Sequence, residues 1–206
     1  MKQGSFIAVE GPIGAGKTTL ASMLSEELNI PIIKEIVEAN PFLDKFYDNI
    51  DEWSFQTEMF FLCNRYKQLE DTRLQYIDLN KPVIADYHIY KNLIFSERTL
   101  TGVKRGKYRQ IYHLLTDDLP KPNIILYIKA DLDTLLQRIK KRGRSFEQTM
   151  DTAYLQQLME DYDAAMTFLA KDDSTTVITI DGNLIDFVEN REQFVQIASN
   201  VKEFIQ

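Results

Sequence analysis

Gly11-Pro12-Ile13-Gly14-Ala15-Gly16-Lys17-Thr18 stands between an apolar run, Phe6-Ile7-Ala8-Val9, and a helix-forming segment, Thr19 to Leu24. It reads G-x-x-x-x-G-K-[ST] in the order strand, loop, helix, the context in which that spacing has a mechanism. The glycines let the backbone curl without a Cβ clash, so successive N–H groups point at an anion held at the positive end of the following helix. Gly11, Pro12, Ile13, Gly14, Ala15, Gly16, Lys17, Thr18 and Thr19 are thus the candidate phosphate-binding residues. Lys17 would reach the β- and γ-phosphates, and the Thr18 hydroxyl would sit on a Mg²⁺ that bridges them. An ordinary glycine-rich turn does not ask for strand, every motif position and helix together. A chain with this feature binds a nucleoside triphosphate, and the open question is where the phosphoryl group goes.

The rest of the composition narrows the class. With 206 residues, 44% of them hydrophobic, the chain can bury a full core and matches one α/β domain spanning residues 1–206. A formal charge of −7, from 24 basic and 31 acidic residues, argues against nucleic acid or a membrane surface as the main partner, so a phosphate site must be built locally. Cys63 is the one cysteine and can form no internal disulfide. Met1 to Gly4 leads into the first strand without the apolar core of a signal peptide, so a reducing cytoplasm is the expected address. No apolar run approaches the roughly 20 residues of a membrane span.

Strands are expected at Phe6–Val9, Ile32–Val37, Val83–Asp86, Ile124–Ile128 and Val177–Ile180. Helices are expected after the phosphate loop, over Trp53–Tyr76, Asp131–Arg142, Ala153–Ala170 and Phe187–Phe204, with a helical or irregular segment from Asn40 to Tyr47. That alternation predicts a doubly wound parallel sheet of five strands flanked by helices. Ligands of such sheets bind at the carboxyl ends of the strands. Glu35, at the end of the second strand, is a candidate general base, with Glu38 as its rival and a solvated strand edge as the bland alternative. Asp86 ends the third strand and would hold the Mg²⁺ directly or through a water. Glu58 and Arg65, seven apart, share one face of the long helix, and Gln56 points nearly the opposite way; taken alone, a charged solvent face explains that pair better. Arg138, Arg142 and Arg144 put three guanidinium groups beside Gly143, which suits a segment closing over phosphates, although cations at a helix C-terminus also favour its dipole. His88 and His113 lack metal spacing and read as packed or surface residues. Lys104 to Arg109 reads as a solvated basic loop with no role.

Several separated segments together resemble one family, the deoxynucleoside kinases, and among them the bacterial deoxyguanosine kinases. They are the loop at Gly11–Thr18, the Glu35 segment with Asn40-Pro41-Phe42-Leu43, Trp53-Ser54-Phe55 with Glu58 and Arg65, Asp86 to Asn92, and Arg138 to Gln148. The resemblance covers nearly the whole chain and implies a P-loop kinase fold with an arginine-rich lid, ATP as phosphate donor, and a homodimer. It assigns Glu35 as catalytic base, Tyr47 and Glu147 to the sugar 3′-hydroxyl, the three arginines to the lid, and Asp186-Phe187 to the loop against the donor's base. Two departures stand out. The family usually has acid-Arg-Ser after the third strand where this chain reads Asp86-Tyr87-His88, so that arginine's charge must come from elsewhere, with Lys17 and the lid as candidates. Asn92 stands where the family often has aspartate.

The expected reaction is Mg²⁺-dependent transfer of the γ-phosphoryl group of ATP to a deoxynucleoside 5′-hydroxyl, with Glu35 taking the proton. Rival readings are a deoxyadenosine/deoxycytidine kinase, a nucleoside-monophosphate kinase, and a nucleotide-binding relative without turnover. The monophosphate reading would be served by an arginine where Tyr87 stands, and no N-K-x-D tetrapeptide for a GTPase occurs. For the base, an ionised Glu58 only accepts and suits guanine N1–H and the 2-amino group. Arg65 only donates and suits O6 and N7, and Asn92 would add an amide N–H toward O6. All three point to deoxyguanosine.

Overall fold

The computed structural model describes residues 4–37, 39–147 and 150–205; Glu38, the rival carboxylate, and Gln148, the end of the lid segment, lie outside the described residues. Among the described residues five parallel strands form one sheet: β1 (Phe6–Glu10), β2 (Ile32–Ile33), β3 (Val83–Ala85), β4 (Ile124–Lys129) and β5 (Thr176–Asp181), ordered β2-β3-β1-β4-β5. β1 lies centrally, with Ile7 opposite Ile84 on one side and Ile124 on the other.

Both faces of the central strands are covered, which is why β1 and β4 are continuous apolar runs. Alternation sorts their side chains. Ile7, Val9, Ile84, Leu126 and Ile128 pack with Leu20 and Leu24 of α1 (Lys17–Leu28), Leu135 and Ile139 of α6 (Leu132–Arg142), and Phe194 and Val201 of α8 (Arg191–Ile205). On the opposite face Phe6, Val83 and Ala85 meet Leu62 and Leu69 of α3 (Ile50–Thr72) and Tyr108 of α5 (Gly102–Thr116). There too Ala8, Ile125 and Tyr127 meet Ile94 of α4 (Lys91–Thr99) and Leu158 and Tyr162 of α7 (Thr152–Leu169). From β1 the chain winds first toward β3 and β2 and later toward β4 and β5, so the strand order reverses at β1. A crevice opens there at the carboxyl ends, and the phosphate loop follows β1 into it.

Some element boundaries differ from the sequence expectation, each for a local reason. β2 is two residues long, because the ladder ends where Asp86 N donates to Ile33 O and the next N–H, that of Glu35, goes to the Asp86 carboxylate instead (2.7 Å). Glu35 therefore sits on the connection after β2, held by the third strand's acid. α3 begins at Ile50 behind an Asn49 cap whose side chain accepts from Glu52 N, and it runs into a π-helical turn, Arg73–Ile77. The last helix starts at Arg191. Asp186 Oδ1 takes the N–H groups of Val188 and Glu189, so side-chain bonds replace helix bonds there, and Asn190 Oδ1 takes those of Glu192 and Gln193 in the first turn of the helix. Lys104–Arg109 belongs to helix α5, not to a loop; Tyr108 turns into the core, and Arg109 pairs with Glu97.

Candidate active site

The phosphate loop is shaped by close packing as well as by its glycines. Gly14 has φ +87°, and a Cβ there would lie 2.8 Å from Leu135 O and 2.9 Å from Ile139 Cγ1, so the loop is pressed against α6. Gly16, at φ +99°, caps α1 with no side chain, and α1 has no acid in its first turn. The first N–H groups of that helix are thus not claimed by a capping side chain, which is the arrangement that receives a phosphate.

A cavity of about 930 Å³ runs from this loop to α3. At the loop end, Lys17 Nζ donates to Gly11 O (2.7 Å) and Pro12 O (3.0 Å). Burial, and then the neighbouring Lys91 ammonium, pull its pKa down to about 7 against the opposing pull of Glu10, Glu35 and Asp86. A polyanion beside it would restore its charge. Thr18 Oγ1 donates to Asp86 Oδ2 at 2.5 Å, so the two oxygen donors expected around Mg²⁺ are adjacent. A hydroxyl and one carboxylate beside a phosphate loop are hard ligands of the kind Mg²⁺ takes when phosphates and waters complete its shell. Among the described residues no cluster of three or more His, Cys, Asp or Glu forms a separate metal cage.

In the middle of the cavity Glu35 carries two cations. Arg65 donates to its Oε1 through Nε (3.1 Å) and Nη2, and Lys91 Nζ lies 2.8 and 3.0 Å from its two oxygens. Burial alone would raise this carboxyl, but the Lys91 ammonium and the Arg65 guanidinium overcome it and hold Glu35 well below the usual carboxylate range.

At the α3 end, Glu58 and Arg65 are 2% and 3% exposed, so the solvent-face reading of that pair does not hold. Their helix face meets α4 and α5. Glu58 Oε1 accepts from the Thr99 hydroxyl (3.0 Å), and burial pushes its pKa up to about 7 although Arg65, that hydrogen bond and Lys91 pull the other way. Arg65 is engaged first with Glu35 and, through Nη1, with Asn92 Oδ1 (2.7 Å). An arginine only donates, so the Asn92 amide is oriented, and its Nδ2 donates to the Tyr108 hydroxyl (2.8 Å), which in turn donates to Glu58 O (3.4 Å). Asn92 is fully buried behind Arg65 and does not line the cavity. The Asn92 amide N–H, expected toward a base O6, is turned to Tyr108 in this structure, and Asn92 meets the cavity through Arg65.

The lid arginines separate into two groups. Arg138, midway along α6, donates to Ala15 O (3.1 Å) and Gly182 O (2.8 Å), bracing the phosphate loop against the connection after β5. It lines the cavity from within α6, ahead of the Gly143 turn that carries the other two. Arg142 reaches both oxygens of the buried Glu147 (2.5 Å), and Arg144 Nη1 stands 3.7 Å from it, after Gly143 ends α6 at φ +71°. Tyr47, on α2 (Leu43–Asp48), lines the same cavity; burial, and then the Glu147 charge, push its phenol well up, so it stays neutral. Asp186 and Phe187 also line the cavity, with Asp186 holding the turn and Phe187 buried with one ring edge against Gly16.

Three residues of the site were not singled out from sequence. Glu10 ends β1 and accepts from Gly11 N (3.2 Å) and His88 N (2.5 Å), tying the phosphate loop to the segment after β3; an acid closing the first strand was its signal. Lys91 had no motif around it. Gln68 receives the Tyr87 hydroxyl (2.9 Å), so the residue standing where the family has arginine is a buried phenol turned toward α3. His88 is packed, its pKa drawn down to about 4 by burial and then Lys121, and His113 is exposed.

Comparison with known proteins gives the family. The model of the deoxynucleoside kinase family matches residues 7–206. A deoxyguanosine kinase of Bacillus subtilis (strain 168) is 63% identical over 206 residues, covering all of both chains. A deoxyadenosine/deoxycytidine kinase of the same organism is 28% identical over 78% of this chain and 76% of its own length. A solved deoxyadenosine kinase from M. mycoides with bound dATP superposes with a TM-score of 0.83 at 25% identity, covering 96% of this chain and 99% of that one. The chain belongs to the deoxynucleoside kinase family.

Proposed function

We propose that this protein phosphorylates deoxyguanosine at its 5′-hydroxyl with ATP, a step of purine deoxynucleoside salvage. The observation that carries the reading is the single cavity in which Glu35, fixed in its ionised form, lies between the phosphate loop and the buried Glu58. Lys17 and the first turn of α1 hold the β- and γ-phosphates. Thr18 and Asp86 would hold a Mg²⁺, which would supply neutralisation of the charge that develops during transfer. Tyr47 and Glu147 hold the sugar 3′-hydroxyl, which sets the 5′-hydroxyl toward Glu35. Glu35 accepts the hydroxyl proton as the new O–P bond forms, and Arg142 and Arg144 turn from Glu147 toward the phosphates as the segment closes. Asp186 and Phe187 lie against the donor's base. Deoxyguanosine is favoured because ionised Glu58 accepts from N1–H and the 2-amino group, while the N–H groups of Arg65 not used on Glu35 and Asn92 face O6 and N7.

The 63% identical relative is a deoxyguanosine kinase, which supports the base choice, and Tyr87 counts against a clamp for an acceptor phosphate. We read the protein as a cytoplasmic homodimer; an apolar groove of α3 and its neighbour, with Phe42, Phe55, Met59, Phe60 and the exposed Cys63, suits a subunit contact. Light scattering after gel filtration tests that. For the activity, ADP release is followed with ATP and each of the four deoxynucleosides and their monophosphates in turn. The largest kcat/KM is expected with deoxyguanosine; preference for a monophosphate, or no turnover, overturns the reading.

A further inference from the structure

We propose that Lys91 is a catalytic cation of this kinase: its ammonium rests on Glu35, turns to the phosphoryl group in transfer, and thereby releases the Glu35 carboxylate to the 5′-hydroxyl. The inference deepens the reading of Glu35 as proton acceptor and rests on it.

Lys91 opens α4, where its N–H donates to His88 O (3.1 Å), and its side chain enters the cavity that Lys17, Asp86 and Glu35 line. A buried lysine needs an anion, and Lys91 takes both oxygens of Glu35. Yet Glu35 already has Arg65, which grips it through two nitrogens. One carboxylate thus holds two cations, and they differ in freedom. The Arg65 guanidinium is fixed on its other side by Asn92 and lies over the Phe61 ring at 4.7 Å. Lys91 is a point charge on a flexible four-carbon stem, with its ammonium over the Phe95 ring and 5.5 Å from its centre, so it can pivot where Arg65 cannot.

The second observation is where it can pivot to. Lys91 and Lys17 line the same cavity beside the phosphate loop, so an anionic phosphoryl group held there can lie against both ammonium groups. No cation comes from the end of β3, since Tyr87 turns to Gln68. In the transfer, Glu35 takes the proton of the 5′-hydroxyl, the O5′–Pγ bond forms, and the bond from Pγ to the bridging β–γ oxygen breaks to leave ADP. Lys91 stays protonated throughout and donates to a γ-oxygen.

The test is a double-mutant cycle with ATP and deoxyguanosine, using Lys91→Met, Lys91→Arg, Glu35→Gln and the Lys91→Met/Glu35→Gln pair, each checked for folding by thermal melting. Lys91→Met is expected to lower kcat by about 10² with KM for deoxyguanosine changed less than about threefold, and Lys91→Arg to recover roughly tenfold of that loss. If Lys91 touches the phosphoryl group, adding Lys91→Met to Glu35→Gln lowers kcat by about tenfold more. If the pair is no slower than Glu35→Gln alone, Lys91 acts only by placing Glu35 and the proposal fails. A Lys91→Met enzyme with native kcat also overturns it. Should Lys91→Met not fold, Lys91→Gln takes its place in the same cycle. A wild-type enzyme inactive on every deoxynucleoside would instead sink the kinase reading itself.

Discussion

The two ends of the cavity are built in opposite ways. The donor end is a run of consecutive residues, Ile13 to Thr19, proposed to bind mostly through backbone N–H, and its shape follows from Gly14 pressed on α6, Gly11 on Ile128 of β4 and Gly16 on Phe187. The acceptor end is assembled from the connection after β2, from α3 and α4, and from the turn after α6, and there each charge is positioned by another side chain: Glu35 by Arg65 and Lys91, Arg65 by Asn92, Asn92 by Tyr108. A contiguous cradle fails one contact at a time. A relay of buried side chains carries a change at one member through to the rest.

The largest expected effect lies at the donor end. Lys17→Ala removes the ammonium from the phosphates where charge develops and should lower kcat by about 10³, with deoxyguanosine affinity, measured calorimetrically, nearly unchanged. Near-native turnover would break the donor assignment. Glu35→Gln should lower kcat by about 10² and also lower the melting temperature, because Lys91 and Arg65 lose the charge they share. An unaltered rate would point to the carboxylate at position 38.

Base selection separates the two modes of construction more finely. Glu58→Gln should reduce the kcat/KM ratio of deoxyguanosine over deoxyadenosine by about 10², since a glutamine can donate to adenine N1. Adding Asn92→Asp should shift it further, now by drawing Arg65 toward a new carboxylate and not by meeting the base. A double mutant with the wild-type ratio would show that this relay does not read the base. At the lid, Arg142→Ala should cost roughly tenfold in kcat and less in KM, whereas Arg138→Ala should lower the melting temperature, since it braces backbone carbonyls.

The smallest effect is a pH dependence. Glu58, raised by burial to about 7 against Arg65, Lys91 and the Thr99 hydroxyl, keeps its proton below that value, where it can donate to adenine N1, and loses it above, where it only accepts. The preference for deoxyguanosine should therefore rise several-fold between about pH 6 and about pH 8. A flat ratio would mean that Glu58 does not face the base.

The fold was legible because both of its signals are local. Continuous apolar strands between amphipathic helices forecast the parallel sheet; element ends shifted where the Asp86 and Asp186 side chains took backbone N–H groups, and the expected basic loop at Lys104–Arg109 is helix α5. The phosphate loop was legible for the same reason, since eight adjacent residues carry it. Glu58 and Arg65 were visible as a helix-face pair, but the 3.6-residue period says only that they point the same way, not whether that face meets water or α4 and α5.

What the sequence by itself determined is therefore the sheet, the donor loop and a short roster of acids and arginines, because these depend on neighbours along the chain. Only the tertiary structure decided which of those charges meet. It put Lys91 on Glu35, set Arg138 in the frame and Arg142 on Glu147, and hid Asn92 behind Arg65. Coulomb energy depends on separation in space and on burial, and neither quantity is written in the spacing of residues along the chain.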